Sequence, residues 1–279
     1  MESLDRFVTE HGGAFYNAAF YGPIIFFALI ELVAPRRALT WPLGARWLAN
    51  IGLGALDFFV GRWATVIVGV GAAEAMGALG HGLLNVLGVP ALLAFVLAFL
   101  VLDLTQYAIH RILHTAPWLW RCHRLHHADP DVDFTTSRRH HPLELVVTLP
   151  VYTLVIVLLG APDSAVLIHG AVSAAAATFN HANLAVPPWL DRALRLVLVT
   201  PDMHRIHHSA RQPETDSNYA NLFSWWDRIF GSYRATPEGG HDRMRLGLDG
   251  FHSRADLGIV RLLGNPFLAP ASMPAPNTR

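Results

Sequence analysis

Residues 83 to 109 read LLNVLGVPALLAFVLAFLVLDLTQYAI, 27 positions in which Asp103 is the one charged side chain. That stretch constrains the fold more than any other feature. A backbone crosses hydrocarbon only when a helix or a closed barrel satisfies its N–H and C=O groups, and a core roughly 30 Å thick takes about 20 apolar residues in helix. Four further segments approach that requirement: 14 to 34, 48 to 72 (interrupted by Asp57 and Arg62), 143 to 161 and 164 to 180, the last two joined by a turn around APDS. With 52% hydrophobic and 15% charged residues, the chain is too apolar for an ordinary soluble domain. The expected fold class is all-α, an integral membrane helical bundle of about four to five spans with a histidine-rich helical cap on its cytoplasmic side.

The first span is expected to stay in the mature protein, because acidic Glu2, Asp5 and Glu10 precede it where a signal peptide carries basic residues. Orientation follows from arginine, the identity of all 21 basic residues. Nineteen of them fall between spans one and two, between spans three and four, or after span five. The positive-inside rule makes those segments cytoplasmic, and the all-arginine, alanine-rich composition points to a bacterial inner membrane. One cysteine, Cys122, excludes an internal disulfide. A formal net charge of zero gives no footprint for nucleic acid, and no such partner is expected.

Histidine is the anomaly. Sixteen occur, seven of them between 110 and 141 and three more between 204 and 208, in the runs HRILH, HRLHH and HRIHH. Residues at i, i+3 and i+4 share a helical face, so each run projects two or three imidazoles together. Span three meets no helix breaker before HRILH, which puts its first pair at the membrane boundary. Eight imidazoles exceed the roughly four to six ligands of one ion and suit two. Imidazole alone leaves zinc, copper, iron and nickel open. The clusters lack the Glu-x-x-His pairs of soluble di-iron bundles, and HExxH is absent. A headgroup-binding surface of histidine and arginine is the plain alternative, but arginine alone would serve it without this register. Isolated His11, His81, His241 and His252 read as ordinary polar residues, and His169 as a helix-packing or polar contact within span five.

The runs DLTQYAIHRILHTAPWLWRCHRLHH, RRHHPLE, NHAN and MHRIHHSARQPETDSNYANLFSWWDRIFGSY together resemble the membrane-bound fatty acid hydroxylase and sterol desaturase superfamily, over roughly residues 90 to 235. The resemblance implies a non-haem centre of two iron ions that activates dioxygen and hydroxylates, or desaturates, an unactivated C–H bond of a lipid. It implies as ligands His110 and His114; His123, His126 and His127; and His204, His207 and His208. It adds His181 of FNHAN and His141 of HHPLE, the doublet leaving open which of His140 and His141 faces the metal. Asp103, Glu144, Asp202 and Asp227 are candidate acceptors for the outer ring nitrogens. Asp103 is favoured among them because an ionisable group inside a span is costly; Tyr107, four residues on, is its expected hydrogen-bond partner.

The same resemblance divides the chain into an N-terminal transmembrane region (1–82), a catalytic domain (83–235) and a C-terminal tail (236–279), whose end from Pro266 has a disordered composition. The expected substrate is a membrane lipid, fatty acyl or aminolipid. Electrons would come from an external donor, ferredoxin-like or a small haem protein with its reductase. Zinc in purified material is expected from its higher affinity for imidazole. The alternative reading is a zinc-loaded membrane hydrolase or a metal-binding membrane protein without redox activity.

Overall fold

The computed structural model describes residues 2–79, 82–249, 251, 253 and 257–268; His81, His252 and the chain beyond Leu268 lie outside them. Among the described residues the elements are helices: α1 (Glu2–Val33), α2 (Leu43–Leu79), α3 (Leu83–Val86), α4 (Ala91–Thr115), α5 (Pro117–His127), α6 (Pro142–Leu159), α7 (Asp163–His181), α8 (Pro188–Leu194), α9 (Pro201–His207), α10 (Gln212–Thr215), α11 (Trp225–Ile229) and α12 (Ile259–Gly264), with short 3-10 turns at Phe134–Arg138 and Asn265–Phe267. The protein is an all-α membrane helical protein. Three helical segments among the described residues are long and apolar enough to cross a membrane: Glu10–Val33 of α1, all of α4 and all of α6.

The third apolar run begins at Ala91, not at residue 83. Gly88 adopts φ 61° and Pro90 caps α4, so Leu83–Val86 becomes a separate turn. A Cβ on Gly82 would collide with the backbone of Gly160, and Gly160, at φ 65°, ends α6 in the left-handed conformation that glycine adopts at no steric cost. Downstream, α4 continues through both histidines of HRILH. Ala116 turns the chain, and Pro117 opens α5 at a position where its missing N–H costs nothing.

Burial sorts the helices. The apolar window of α1 is 6% buried, that of α6 17% and that of α4 28%, which makes α4 the inner helix and α1 the lipid-facing one, with Ile25, Phe26, Leu29 and Val33 exposed. In α7 the buried residues are small or polar, among them Ser164, His169, Ser173, Thr178, Asn180 and His181; its polar face turns into the protein. α1 packs on α7, α2 on α6, and α4 on α5, α6 and α7.

The loop from α5 to α6 is held by a buried ionic clamp at the start of α2. Arg46 reaches Asp129 in a two-pronged bond, Nε to Oδ1 and Nη2 to Oδ2, both 2.9 Å, and Asp133 Oδ2 at 2.7 Å. Asn50 donates to Asp129 Oδ2 at 3.1 Å and to Thr135 Oγ1 at 2.9 Å, and accepts from Arg139 Nη1 at 2.9 Å. Arg139 Nε in turn donates to the Leu125 carbonyl inside α5. Burial alone would raise the Asp129 carboxyl, but the Arg46 and Arg139 charges overcome it and hold it at about 2. The C-terminal segment is also docked, as far as Leu268. Arg124 Nε donates to Asn265 Oδ1, and Arg121 Nε to the Pro266 carbonyl, at 2.9 and 2.7 Å.

Candidate metal centre

Nine of the ten histidines expected as ligands converge in two adjoining nests. His110, His114, His123, His127 and His207 form the first, and His126, His181, His204 and His208 the second; within each, the donor atoms lie within 4.8 Å of one another. Helical geometry explains the sorting. At 3.6 residues per turn, positions i and i+4 differ by roughly 40° and position i+3 falls to the other side by roughly 60°. In HRLHH the i, i+4 pair His123 and His127 joins the first nest and His126 crosses to the second. In HRIHH the pair His204 and His208 joins the second and His207 crosses to the first. HRLHH and HRIHH therefore each touch both nests, whereas HRILH serves the first alone, and the rings of His127 and His208 stack at 4.6 Å between centroids.

Tautomers are set from outside. His110 Nδ1 donates to the Tyr219 carbonyl at 2.6 Å, His207 Nδ1 to the Ser217 carbonyl at 2.8 Å, and His181 Nδ1 to the Ala177 carbonyl at 2.7 Å. A carbonyl only accepts, so the inner Nε2 atoms of these neutral rings carry lone pairs. Yet His207 Nε2 and His110 Nε2 stand 3.1 Å apart, and His181 Nε2 lies 3.1 Å from His126 and His204 and 3.2 Å from His208. The facing lone pairs of His110 and His207 repel at that distance unless a cation lies between them, and the single lone pair of His181 Nε2 can accept from only one of its three neighbours. Metal–nitrogen bonds of about 2.0–2.1 Å place neighbouring ligand nitrogens about 2.9–3.4 Å apart, between the octahedral and tetrahedral edges, so the spacing fits a metal in each nest.

Protonation does not supply the cation. Burial first, and then the neighbouring imidazoles, hold His126, His127, His204, His207 and His208 well below the ordinary histidine range. Seven buried ring nitrogens, on His114, His126, His127, His204 and His208, have no hydrogen-bond partner. The donor set of neutral, buried, converging imidazoles suits a divalent transition metal.

Glu144, at the first turn of α6, is the carboxylate of the centre. Its Oε2 accepts from His123 Nδ1 at 3.0 Å and its Oε1 from His140 Nδ1 at 3.1 Å. His140 is the member of the doublet that faces the nests, stacked 4.6 Å over His126. Burial opposes its protonation, but the Glu144 charge and hydrogen bond, with Asp57, outweigh that and raise it. His141 lies apart: its Nδ1 accepts from Leu143 N at 3.1 Å as the cap of α6, and its Nε2 donates to the Leu263 carbonyl at 3.0 Å. Both its nitrogens are spent on backbone.

The other expected acceptors are placed differently. Asp227 accepts from Tyr219 N and Ala220 N at 2.8 and 3.0 Å, fixing the loop whose Tyr219 carbonyl orients His110. Asp202 pairs with Arg205. Asp103 contacts no histidine of the nests; its Oδ2 accepts from Trp226 Nε1 at 2.7 Å and Phe223 N at 3.3 Å. Tyr107 does not bond Asp103 but meets Ser232 Oγ at 2.8 Å and stacks on Phe230. The clamp residues Arg46, Asn50, Asp129 and Asp133 escaped sequence reasoning, although the acidic run DPDVD, one residue after HRLHH, is a visible signal.

A cavity of about 570 Å³ opens beside the nests between α1, α4, α6 and α7. Its walls include His110 and His123 of the first nest, His126, His181 and His204 of the second, apolar Ile109, Leu113, Leu145 and Leu149, and, further along, Tyr152 and His169.

The fatty acid hydroxylase family model matches residues 95–232. An ornithine lipid hydroxylase of Rhizobium tropici is 28% identical over 185 residues, 66% of this chain and 51% of that protein. The human alkylglycerol monooxygenase is 29% identical over 148 residues, 50% of this chain and 31% of that protein. A fatty acid hydroxylase of Lecanicillium is 30% identical over 146 residues, 48% of this chain and 40% of that protein. The chain thus spans about half or less of these relatives, and no solved structure matches it. With the matched region containing all nine converging histidines, the chain belongs to the fatty acid hydroxylase superfamily.

Proposed function

We propose that the protein is a membrane-bound, dioxygen-dependent lipid hydroxylase that works with two iron ions. The first is held by His110, His114, His123, His127 and His207, the second by His126, His181, His204 and His208. The observation that carries this reading is the cavity wall: imidazoles of both nests line the same space, so one bound carbon chain meets both metal positions. The metal pair supplies reductive activation of dioxygen, one oxygen atom entering a C–H bond and the other leaving as water with two electrons and two protons from an external donor.

The chain supplies position and dryness. Carbonyls of Ser217, Tyr219 and Ala177 fix three ligand rings, and Glu144 fixes His123; such outer partners commonly govern metal affinity about 10–100-fold. Ile109, Leu113, Leu145 and Leu149 keep the reacting carbon in an apolar, water-poor space. The relatives are named for ornithine lipid, alkylglycerol and fatty acid, which share an amphipathic form, and a membrane lipid of fatty acyl or aminolipid type fits a cavity walled in part by α4 and α6, helices long and apolar enough to cross a bilayer. The arginine distribution supports an active site on the cytoplasmic face of a bacterial inner membrane, with electrons from a ferredoxin-like or small haem donor and its reductase.

Iron-loaded protein in bilayer discs of bacterial lipid, given reductant and heavy-oxygen-labelled dioxygen, should add one labelled oxygen atom to a lipid. His126→Ala should abolish the gain. No labelled lipid from the iron-loaded protein, or labelling that survives His126→Ala, overturns the proposal, and lipid hydrolysis by zinc-loaded protein would replace it with a hydrolase.

A further inference from the structure

The cavity contains a polar group that the metal chemistry does not use. Tyr152 of α6 and His169 of α7 both line it, and the Tyr152 hydroxyl lies 2.7 Å from His169 Nδ1. On the far side of the imidazole, His169 Nε2 is 3.7 Å from Asp103 Oδ1 of α4. His169 is fully buried and Asp103 is 2% exposed. At 1.5 Å per residue, Asp103 sits about 10 Å along α4 from His110, Tyr152 about 12 Å along α6 from Glu144, and His169 about 18 Å along α7 from His181. The three meet away from the nests, Asp103 and Tyr152 on helices long and apolar enough to cross a membrane, where an unused polar group is expensive and marks a function.

Proton positions in this trio follow from its surroundings. Asp103 Oδ2 accepts two N–H groups, from Trp226 and Phe223, and its Oδ1 faces His169 Nε2. An acceptor oxygen opposite Nε2 favours the tautomer that carries its proton there. Nδ1 is then bare and must accept, so the Tyr152 hydroxyl donates to it. The phenol's one proton is committed to His169, and its oxygen offers the cavity lone pairs alone. The neighbouring polar set differs, because Ser173 donates to Gln106 Oε1 at 2.7 Å and accepts from Asn221 Nδ2 at 2.8 Å and is satisfied internally.

We infer that Asp103 and His169 hold Tyr152 as an acceptor-only recognition point for a hydrogen-bond donor, a hydroxyl or an amide N–H, carried by the lipid at a distance from the carbon beside the metals. The inference rests on the cavity being the lipid site. Tyr152 is the binding residue; His169 and Asp103 are positioning residues that act through it. A plain hydrocarbon chain, an ester or an ether presents no donor here and gains nothing from the phenol.

The test uses full-length, zinc-loaded protein in detergent, so that binding is read without turnover. The probes are N-hexyldecanamide and its N-methyl derivative, and a secondary hexadecanol and its methyl ether, each displacing a fluorescent fatty chain. Wild type should bind at least one free donor about threefold to tenfold more tightly than its methylated partner, the range of one hydrogen bond, and the larger ratio names the donor. Tyr152→Phe should bring that ratio to one, and Asp103→Asn, which removes the carboxyl group that sets the His169 tautomer, should lower it with zinc content unchanged. A ratio of one in wild type, or a ratio that survives Tyr152→Phe, overturns the inference. Wild type alone supplies a second reading should the variants misfold: the infrared C–O band of tyrosine shifts with the donor probes and stays put with the methylated ones, and an unmoved band is equally fatal. Failed lipid oxygenation in the iron-loaded protein would leave this selectivity standing, and lost selectivity would leave oxygenation standing, so the two readings fail separately.

Discussion

Two buried polar assemblies lie side by side, and they are built on opposite rules. In the clamp, two guanidiniums, Arg46 and Arg139, face the carboxylates Asp129 and Asp133, and Asn50, Thr135 and Thr136 take up remaining donors and acceptors. The nests hold nine imidazoles, seven of which bring ring nitrogens to 3.1–3.3 Å of one another, and seven of their ring nitrogens have no partner. A satisfied network is complete as it stands and contributes a fixed shape. An unsatisfied one of the same burial is stable only with its cation, so the clamp carries the scaffold and the nests carry the chemistry.

The largest effect should come from breaking the clamp on one side. Arg46→Met leaves Asp133 buried without its ion-pair partner and Asp129 facing Arg139 alone, a loss of about 3–5 kcal/mol, to be read as a fall in unfolding midpoint of the metal-loaded protein in detergent. Little or no fall would mean that the two assemblies are not different in kind. Metal removal should be comparable on the other side. Saturating metal at about 1,000 times its Kd adds about 4 kcal/mol to the folded state, so chelation should lower the midpoint accordingly. In the chelated protein, His207→Ala should be neutral or stabilising, because it relieves the lone-pair contact with His110; Arg46→Met should cost as much without metal as with it.

How much of this contrast was legible in the sequence follows from the range over which each rule acts. The nests were legible because their determinants are local: i, i+3, i+4 spacing within HRILH, HRLHH and HRIHH places imidazoles on a common face whatever the surroundings. The helices were legible from apolar run length, apart from the start of α4, where Gly88 and Pro90 override hydropathy. The clamp was not, since Arg46 and Asp129 are 83 residues apart and nothing in either neighbourhood specifies the pairing. Asp103 misled for a related reason. Its seven-residue spacing from His110 put both on one helical face, but the position of α7 presents His169, rather than a nest imidazole, to it.

A smaller effect isolates the residue that joins the two kinds of assembly. Glu144 is a single carboxylate shared by His123 of the first nest and His140 beside the second. Glu144→Gln keeps the shape but accepts through one oxygen, so it can orient one imidazole and not both. Metal affinity should fall about 10–100-fold, measured by competition with a chelator of known affinity, and the loss should be confined to one of the two metals. Equal loss of both would show the nests to be one electrostatic unit.

The smallest effect separates the members of the His140/His141 doublet. Capping is what His141 contributes, with Leu143 N bonded to its Nδ1 and the Leu263 carbonyl to its Nε2, so His141→Ala should cost about 1 kcal/mol, the usual worth of an N-cap side chain, and leave metal content at the wild-type value. His141→Asn restores the cap acceptor without reaching Leu263 and should recover most of that loss. His140→Ala should do the reverse: it removes a ring stacked on His126 and a donor to Glu144, lowering metal retention while α6 keeps its cap. Metal content that falls in His141→Ala and holds in His140→Ala would exchange the two assignments, and with them the rule that a nitrogen already bonded to backbone is unavailable to a metal.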